Sequence, residues 1–290
     1  MATATKTKEA SQSLETVDPR TGEIVVADDY SGYAEDSGAG FENTTQSDLS
    51  IPFLSVLQAG SPEVLAEDSS AKPGMIVNRT TGELIPGKEG LTFVPALVEH
   101  SYVEWVPRDK GGGLVGSHAI DSEIVRRVRE TQPLGAYKHP DNENDLIETY
   151  ALWVVALTAA GDPYPAVINF SSTAIRPFKD FLFRARSIVI GLPDGRKITN
   201  LPLFSHCWVM RTARQEKAGN VWHTPLISFA GENATASRLA PSSDLYQKAK
   251  SVREAVSAGT VKAATETLTR AASDGSLGSK ASADAEKAPY

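Results

Sequence analysis

The chain has 290 residues, 41% of them hydrophobic, with a formal net charge of −7 and a single cysteine. That composition excludes a disulfide-stapled secreted domain, because Cys207 has no intrachain partner and a core of this size needs none. No apolar run approaches the ~20 residues that cross a bilayer, and the polar start Met1 to Lys6 lacks a signal-like stretch. The expectation is therefore a cytoplasmic protein with no membrane contact.

Residues 1–45 are rich in Thr, Ser, Asp, Glu and Gly and read as a disordered acidic tail, with one hairpin turn at Asp18-Pro-Arg-Thr-Gly22. A core domain is expected over 46–235. All four Trp and all nine Phe lie between Phe41 and Phe229, so apolar area able to offset ordering entropy is concentrated there. Leu49 to Gln58, broken by Pro52, reads as a short helix or an edge segment.

From Gly74 the pattern becomes short β-prone runs between turn residues. Met75 to Asn78 and Glu83 to Ile85 flank a hairpin turn. Leu91 to Leu97 and Tyr102 to Val106 follow as separate strands, and Lys110-Gly-Gly-Gly113 bends into Leu114 to His118. Residues 121–147 read as a projecting loop carrying a short helix near Ser122 to Glu130. Thr149 to Thr158 and Tyr164 to Phe170 are the strongest strands and form a central hairpin. A helix follows from Ser172 or Thr173 to about Val189, with Ile175, Phe178, Leu182, Ala185 and Val189 on one face. Leu203 to Thr212 and Val221 to Phe229 make a second hairpin. Residues 236–290 read as an Ala/Ser-rich, partly helical flexible tail, with helix-favouring stretches at Asp244 to Ala258 and Val261 to Ala272. The fold class is β-rich α+β, an OB-like barrel or sandwich core with one packed amphipathic helix.

Charge is distributed unevenly. Residues 1–50 sum to −7 and 51–150 to −6, whereas 151–240 sum to +5 and 241–290 to +1. A basic segment in an acidic chain points to an anionic partner. Arg176, Lys179, Arg184, Arg186, Arg211, Arg214 and Lys217 would neutralise phosphates, and the interleaved Phe181, Phe183, Trp208 and Trp222 would stack on bases, the combination that binds single strands. Arg108 and Lys110, beside the glycine run, are further phosphate candidates. The alternative is that these aromatics are core and the cations a solvated rim. The glycine loop is not a Walker sequence, because no Lys-Ser/Thr follows the glycines.

Catalytic and metal readings find less support. The histidines at 100, 118, 139, 206 and 223 have no paired ligand spacing, and His206 and Cys207, adjacent on a strand, point to opposite faces. The carboxylates of 121–148 read as a solvated acidic surface. No catalytic residue, metal or cofactor is expected.

Three groups of residues carry a resemblance to a set of tailed-bacteriophage early proteins, some described as single-stranded DNA-binding proteins. They are Gly40 to Asn43 leading into Ile51 to Val64, Pro73 to Asn78 with Thr81-Gly-Glu83, and Trp105 to Gly113; Ile168 to Thr173 adds to them. The resemblance implies a non-catalytic, sequence-tolerant binder of single-stranded DNA in the host cytoplasm, acting in replication or recombination. Its partners would be single-stranded DNA and phage replication or recombination proteins, and a homo-oligomer is compatible with it. Many single-strand binders end in an acidic tail, whereas here the acidic tail lies in residues 1–50. A phage structural or host-takeover protein-binding module is the alternative, and a nuclease a distant third.

Overall fold

The computed structural model describes residues 51–135 and 137–260, with short stretches at 16–17, 24–25, 36 and 39–43. The expectations for 261–290 and most of 1–50 lie outside the described residues. β1 (Thr16–Val17) and β2 (Ile24–Val25) pair antiparallel, and the turn expected at Asp18 to Gly22 lies outside the described residues.

The rest is α+β, built on one nine-stranded mixed sheet curled into a half-barrel. Its strands are β3 (Phe53–Val56), β4 (Ile76–Asn78), β5 (Leu84–Ile85), β6 (Leu91–Trp105), β7 (Leu114–Ala119), β8 (Asp145–Leu157), β9 (Pro163–Ser171), β12 (Trp208–Lys217) and β13 (Asn220–Phe229). A small separate antiparallel pair is formed by β10 (Ile190–Gly191) and β11 (Lys197–Ile198). The order across the sheet is β13-β12-β6-β8-β9-β3-β4-β5, with β7 paired to the far half of β6. Only β3 and β9 run parallel. Leu49 to Gln58 thus supplies an interior strand rather than a helix or an edge. The two strands expected at 91–97 and 102–106 are one, because the polar Glu99-His-Ser101 between them keeps its pairing to β8.

The central strands are apolar on both faces. Leu152, Val154, Ala156, Ala166, Ile168 and Phe170 enter the concave core, while Trp153, Val155 and Val167 face the other way. Each face needs a cover, and a helix supplies it. On the concave side, α3 (Ile175–Arg186) buries Phe178 and Phe181 completely. On the other, α4 (Asp244–Ser257) sets Leu245, Ala249, Val252 and Val256 against Phe53, Trp153 and Phe204. The start of the expected flexible tail is therefore packed: its few apolar residues fall on one stripe, and small Ala249 permits close approach. A third helix, α2 (Glu123–Thr131), covers Tyr102 and Leu146 at the end of β6. It is the short helix expected near Ser122 to Glu130, within the segment 121–147. The four-residue α1 (Pro62–Leu65) lies beyond β3.

Edge strand β13 is closed residue by residue. The side-chain amide of Gln58 donates to His223 O at 2.9 Å and accepts from His223 N at 2.8 Å, standing in for a neighbouring strand. Pro225 has no N–H to offer, and the Arg184 guanidinium donates to Ile227 O. On the other side of β12, Thr212 donates its amide to Gly87 O and its hydroxyl to Gly74 O. A Cβ at Gly87 would collide with both Gly74 O and Thr212 Oγ1, so only glycine lets these segments meet.

Replacing Gln58 with Ala removes two hydrogen bonds and should cost about 1–3 kcal/mol, at roughly 0.5–1.5 kcal/mol each. Gly87→Ala should cost at least as much through overpacking, about 1–3 kcal/mol. Urea unfolding of the two variants beside the parent checks both; unchanged midpoints would show that this seam does not hold the curl.

Candidate functional site

α3 follows directly from β9 through a turn at Ser172–Ala174, so its position is set by the central hairpin. Neither Ser172 nor Thr173 caps it; Ala174 is the N-cap and makes no side-chain hydrogen bond. Its concave contacts are wider than a single stripe. Phe178 stacks on Phe170 with centroids 4.4 Å apart, and Phe181 meets the Trp208 ring edge-on at 4.8 Å. Phe181 and Trp208 are both 0% exposed. The expectation that they stack on bases is corrected: Phe181, one turn on from Phe178, and Trp208 on β12 fill the core between helix and sheet.

The outward face carries the charge. Arg176, Lys179 and Arg186 are exposed, and Phe183 lies among them at 75% exposure. At 100° per residue, Arg176, Lys179, Phe183 and Arg186 fall within about a quarter of the helix circumference. Asp180 is the only acidic residue on the helix. Lys179 is partly engaged, 3.8 Å from Glu148 and with Nζ 5.4 Å from the Tyr150 ring centre. Arg184 is occupied differently, since it clamps β13 through Ile227 O. Just past the helix, Val189 and Ile198 are exposed large apolar side chains, with Lys197 exposed in the β10–β11 pair.

The remaining candidates form other groups. On β12, Arg211 donates to Lys88 O at 3.2 Å, and Arg214 pairs with Glu216 at 2.7 Å. The register opposes Gln215 to half-buried Trp222 and Lys217 to Asn220. It places Arg211, Lys217 and Trp222 on one face of the hairpin and Arg214 on the other. Lys110 lies at the β6–β7 turn, 3.4 Å from Glu143, while the Arg108 side chain is outside the described residues. In the same segment Tyr102 and Trp105 are buried.

A cluster absent from the sequence reading lies near that turn. Glu104 on β6 is 3% exposed; its Oε1 accepts from the Asn142 and Asn144 amides at 2.8 and 2.7 Å, and its Oε2 lies 2.7 Å from His118 Nε2 on β7. Burial pushes the Glu104 carboxyl up, but hydrogen bonds from Asn144, His118 and Asn142 outweigh it and hold the group below the usual carboxylate range. Buried His139 completes the group, with one potential ligand atom of each of the three residues within 4.8 Å of the others. The spacings of 14 and 21 residues hide it in sequence. The signal was the β6–β7 hairpin, whose register opposes Glu104 to Gly116 and Tyr102 to His118, putting Glu104 and His118 on one face.

The Pam3 phage gp34-like protein family model matches residues 20–262 of the chain. That is more than half of its length, and the chain belongs to this bacteriophage family. No curated protein and no solved structure matches it.

The two faces of α3 should separate in mutagenesis. Phe181→Ala empties a fully buried site and should cost about 3–5 kcal/mol, whereas Phe183→Ala should change stability by less than about 0.5 kcal/mol. Equal losses in denaturant unfolding would mean that Phe183 is a packing residue.

Proposed function

We propose that this member of the Pam3 phage gp34-like family binds single-stranded DNA without catalysis, through the outer face of α3. The observation that carries this reading is Phe183, a large aromatic ring set out in solvent among Arg176, Lys179 and Arg186. An exposed ring contributes nothing to the core, but a base stacked on it gains about 1–3 kcal/mol, and the cations around it can neutralise the adjoining phosphates. Exposed Lys197 extends the positive surface beyond the helix, and the hairpin group of Arg211, Lys217 and Trp222 offers a second patch of the same chemistry. In this reading the half-barrel is the rigid support that holds α3, and with it the stacking ring, in place. The protein would act in the host cytoplasm during phage replication or recombination.

Fluorescence anisotropy with labelled oligo-dT, duplex DNA and RNA across a salt series tests this. Log affinity for oligo-dT should fall linearly with log salt; Arg176→Ala with Arg186→Ala should flatten the slope by about 1.4, at roughly 0.7 per lost phosphate contact. Phe183→Ala should weaken binding by about 1–3 kcal/mol with the slope unchanged. No binding at ~50 mM salt would overturn the proposal and leave the exposed Phe183, Val189 and Ile198 to a protein partner. Strand cleavage on adding a divalent metal would overturn its non-catalytic part.

A further inference from the structure

We infer that Glu104, His118 and His139 form a binding site for a first-row divalent metal ion of the Zn²⁺ class. The site is independent of the α3 surface and of any DNA binding there.

The argument begins with charge. A buried ionised carboxylate is costly unless paired, and the partners of Glu104 are Asn142, Asn144 and His118. Among the described residues its only salt-bridge partner is His118, which carries charge only when protonated. The two asparagines saturate Oε1 and leave Oε2 directed at the imidazoles. A cation between Oε2, His118 and His139 would balance the charge that the fold has buried.

Geometry agrees with this. Ligands that share one Zn²⁺ at about 2.0–2.2 Å lie roughly 3–4 Å from one another. The 2.7 Å separation of Glu104 Oε2 from His118 Nε2 must open slightly, and the 4.8 Å bound on the group must close by a similar amount. Both are side-chain rotations. The two hydrogen bonds on Oε1 already fix the carboxylate from behind, as the supporting partners of a metal ligand do. Binding costs the Glu104–His118 hydrogen bond.

The donor set selects the ion. Two imidazole nitrogens and one carboxylate suit Zn²⁺, Co²⁺, Ni²⁺ or Fe²⁺, whereas Ca²⁺ and Mg²⁺ prefer oxygen throughout. The nearby Asp141 and Glu143 are taken up by Arg127 at 3.7 Å and Lys110 at 3.4 Å, which leaves a fourth position for water. The ion would join three separate parts of the chain: β6, β7 and the loop before β8. That loop is already tight, with His139 N donating to Asn144 O at 2.8 Å and Glu143 N to His139 O at 3.0 Å.

Metal-stripped full-length protein titrated with Co²⁺ and Zn²⁺ tests the inference. One equivalent of Co²⁺ should give visible d–d bands that Zn²⁺ abolishes, and Zn²⁺ but not Mg²⁺ should raise the melting temperature. His118→Gln and His139→Gln should each weaken binding more than tenfold, and Asn144→Ala by about 10–100-fold through loss of carboxylate support. His100→Gln, which removes the imidazole 3.0 Å from Glu148, should leave binding intact. Far-UV circular dichroism of each variant separates loss of the site from loss of the fold. Absence of both bands and melting shift in the parent, or bands that persist in folded His139→Gln and vanish in His100→Gln, would overturn the assignment.

Discussion

The curl of the sheet is the constraint on which the rest of the structure depends. A nine-stranded sheet with an open edge would leave a row of unpaired backbone groups and a concave surface of Leu, Ile and Phe in water. Here the side-chain amide of Gln58 binds both backbone groups of His223, Pro225 offers no donor, and Arg184 takes the carbonyl of Ile227. The same closure brings β13 against α3. The helix is then held in the concavity by Phe178 and Phe181, and its opposite side is turned to solvent.

This arrangement divides the labour along one short helix. Arg184 lies on the flank that meets β13, while Arg176, Lys179 and Arg186 lie around Phe183. The basic, aromatic character of residues 176–217 therefore has two origins. Part of it is packing: Phe181, Trp208 and Phe204 are core, and Arg184 is spent on the fold. Phe183 with Arg176, Lys179 and Arg186 stays at the surface, and the DNA binding proposed for this chain uses that group. The acidic first half of the domain likewise splits, since Glu104 is buried and Glu148 meets both His100 and Lys179.

Much of the fold was legible because the central strands leave little choice. Thr149 to Thr158 and Tyr164 to Phe170 are continuous apolar runs, which only a sheet covered on both faces can bury. β6 was harder, because Glu99 to Ser101 interrupts its apolar pattern while the backbone pairing continues. Phe181 and Phe183 both stand beside the stripe of Ile175, Phe178 and Leu182, but the helical period separates them: Phe181 lies about 60° from Phe178 and Phe183 about 140° from it, on the basic face. α4 was under-read because a stripe that includes alanine looks thinly apolar until it meets large partners such as Trp153 and Phe204. The Glu104 cluster depends on hairpin register and on a loop, neither of which spacing encodes.

The proposed binding mode sets Phe183, and not the buried aromatics of the same segment, against the nucleic acid. Photo-crosslinking of the full chain to oligo-dT substituted with 5-bromouracil, followed by peptide mass spectrometry, addresses it most directly. Binding through the outer face of α3 predicts an adduct that peptide fragmentation places on Phe183, with none on Phe181 or Trp208. An adduct confined to the β12–β13 hairpin around Trp222, or none at all under conditions of saturating oligonucleotide, would contradict it.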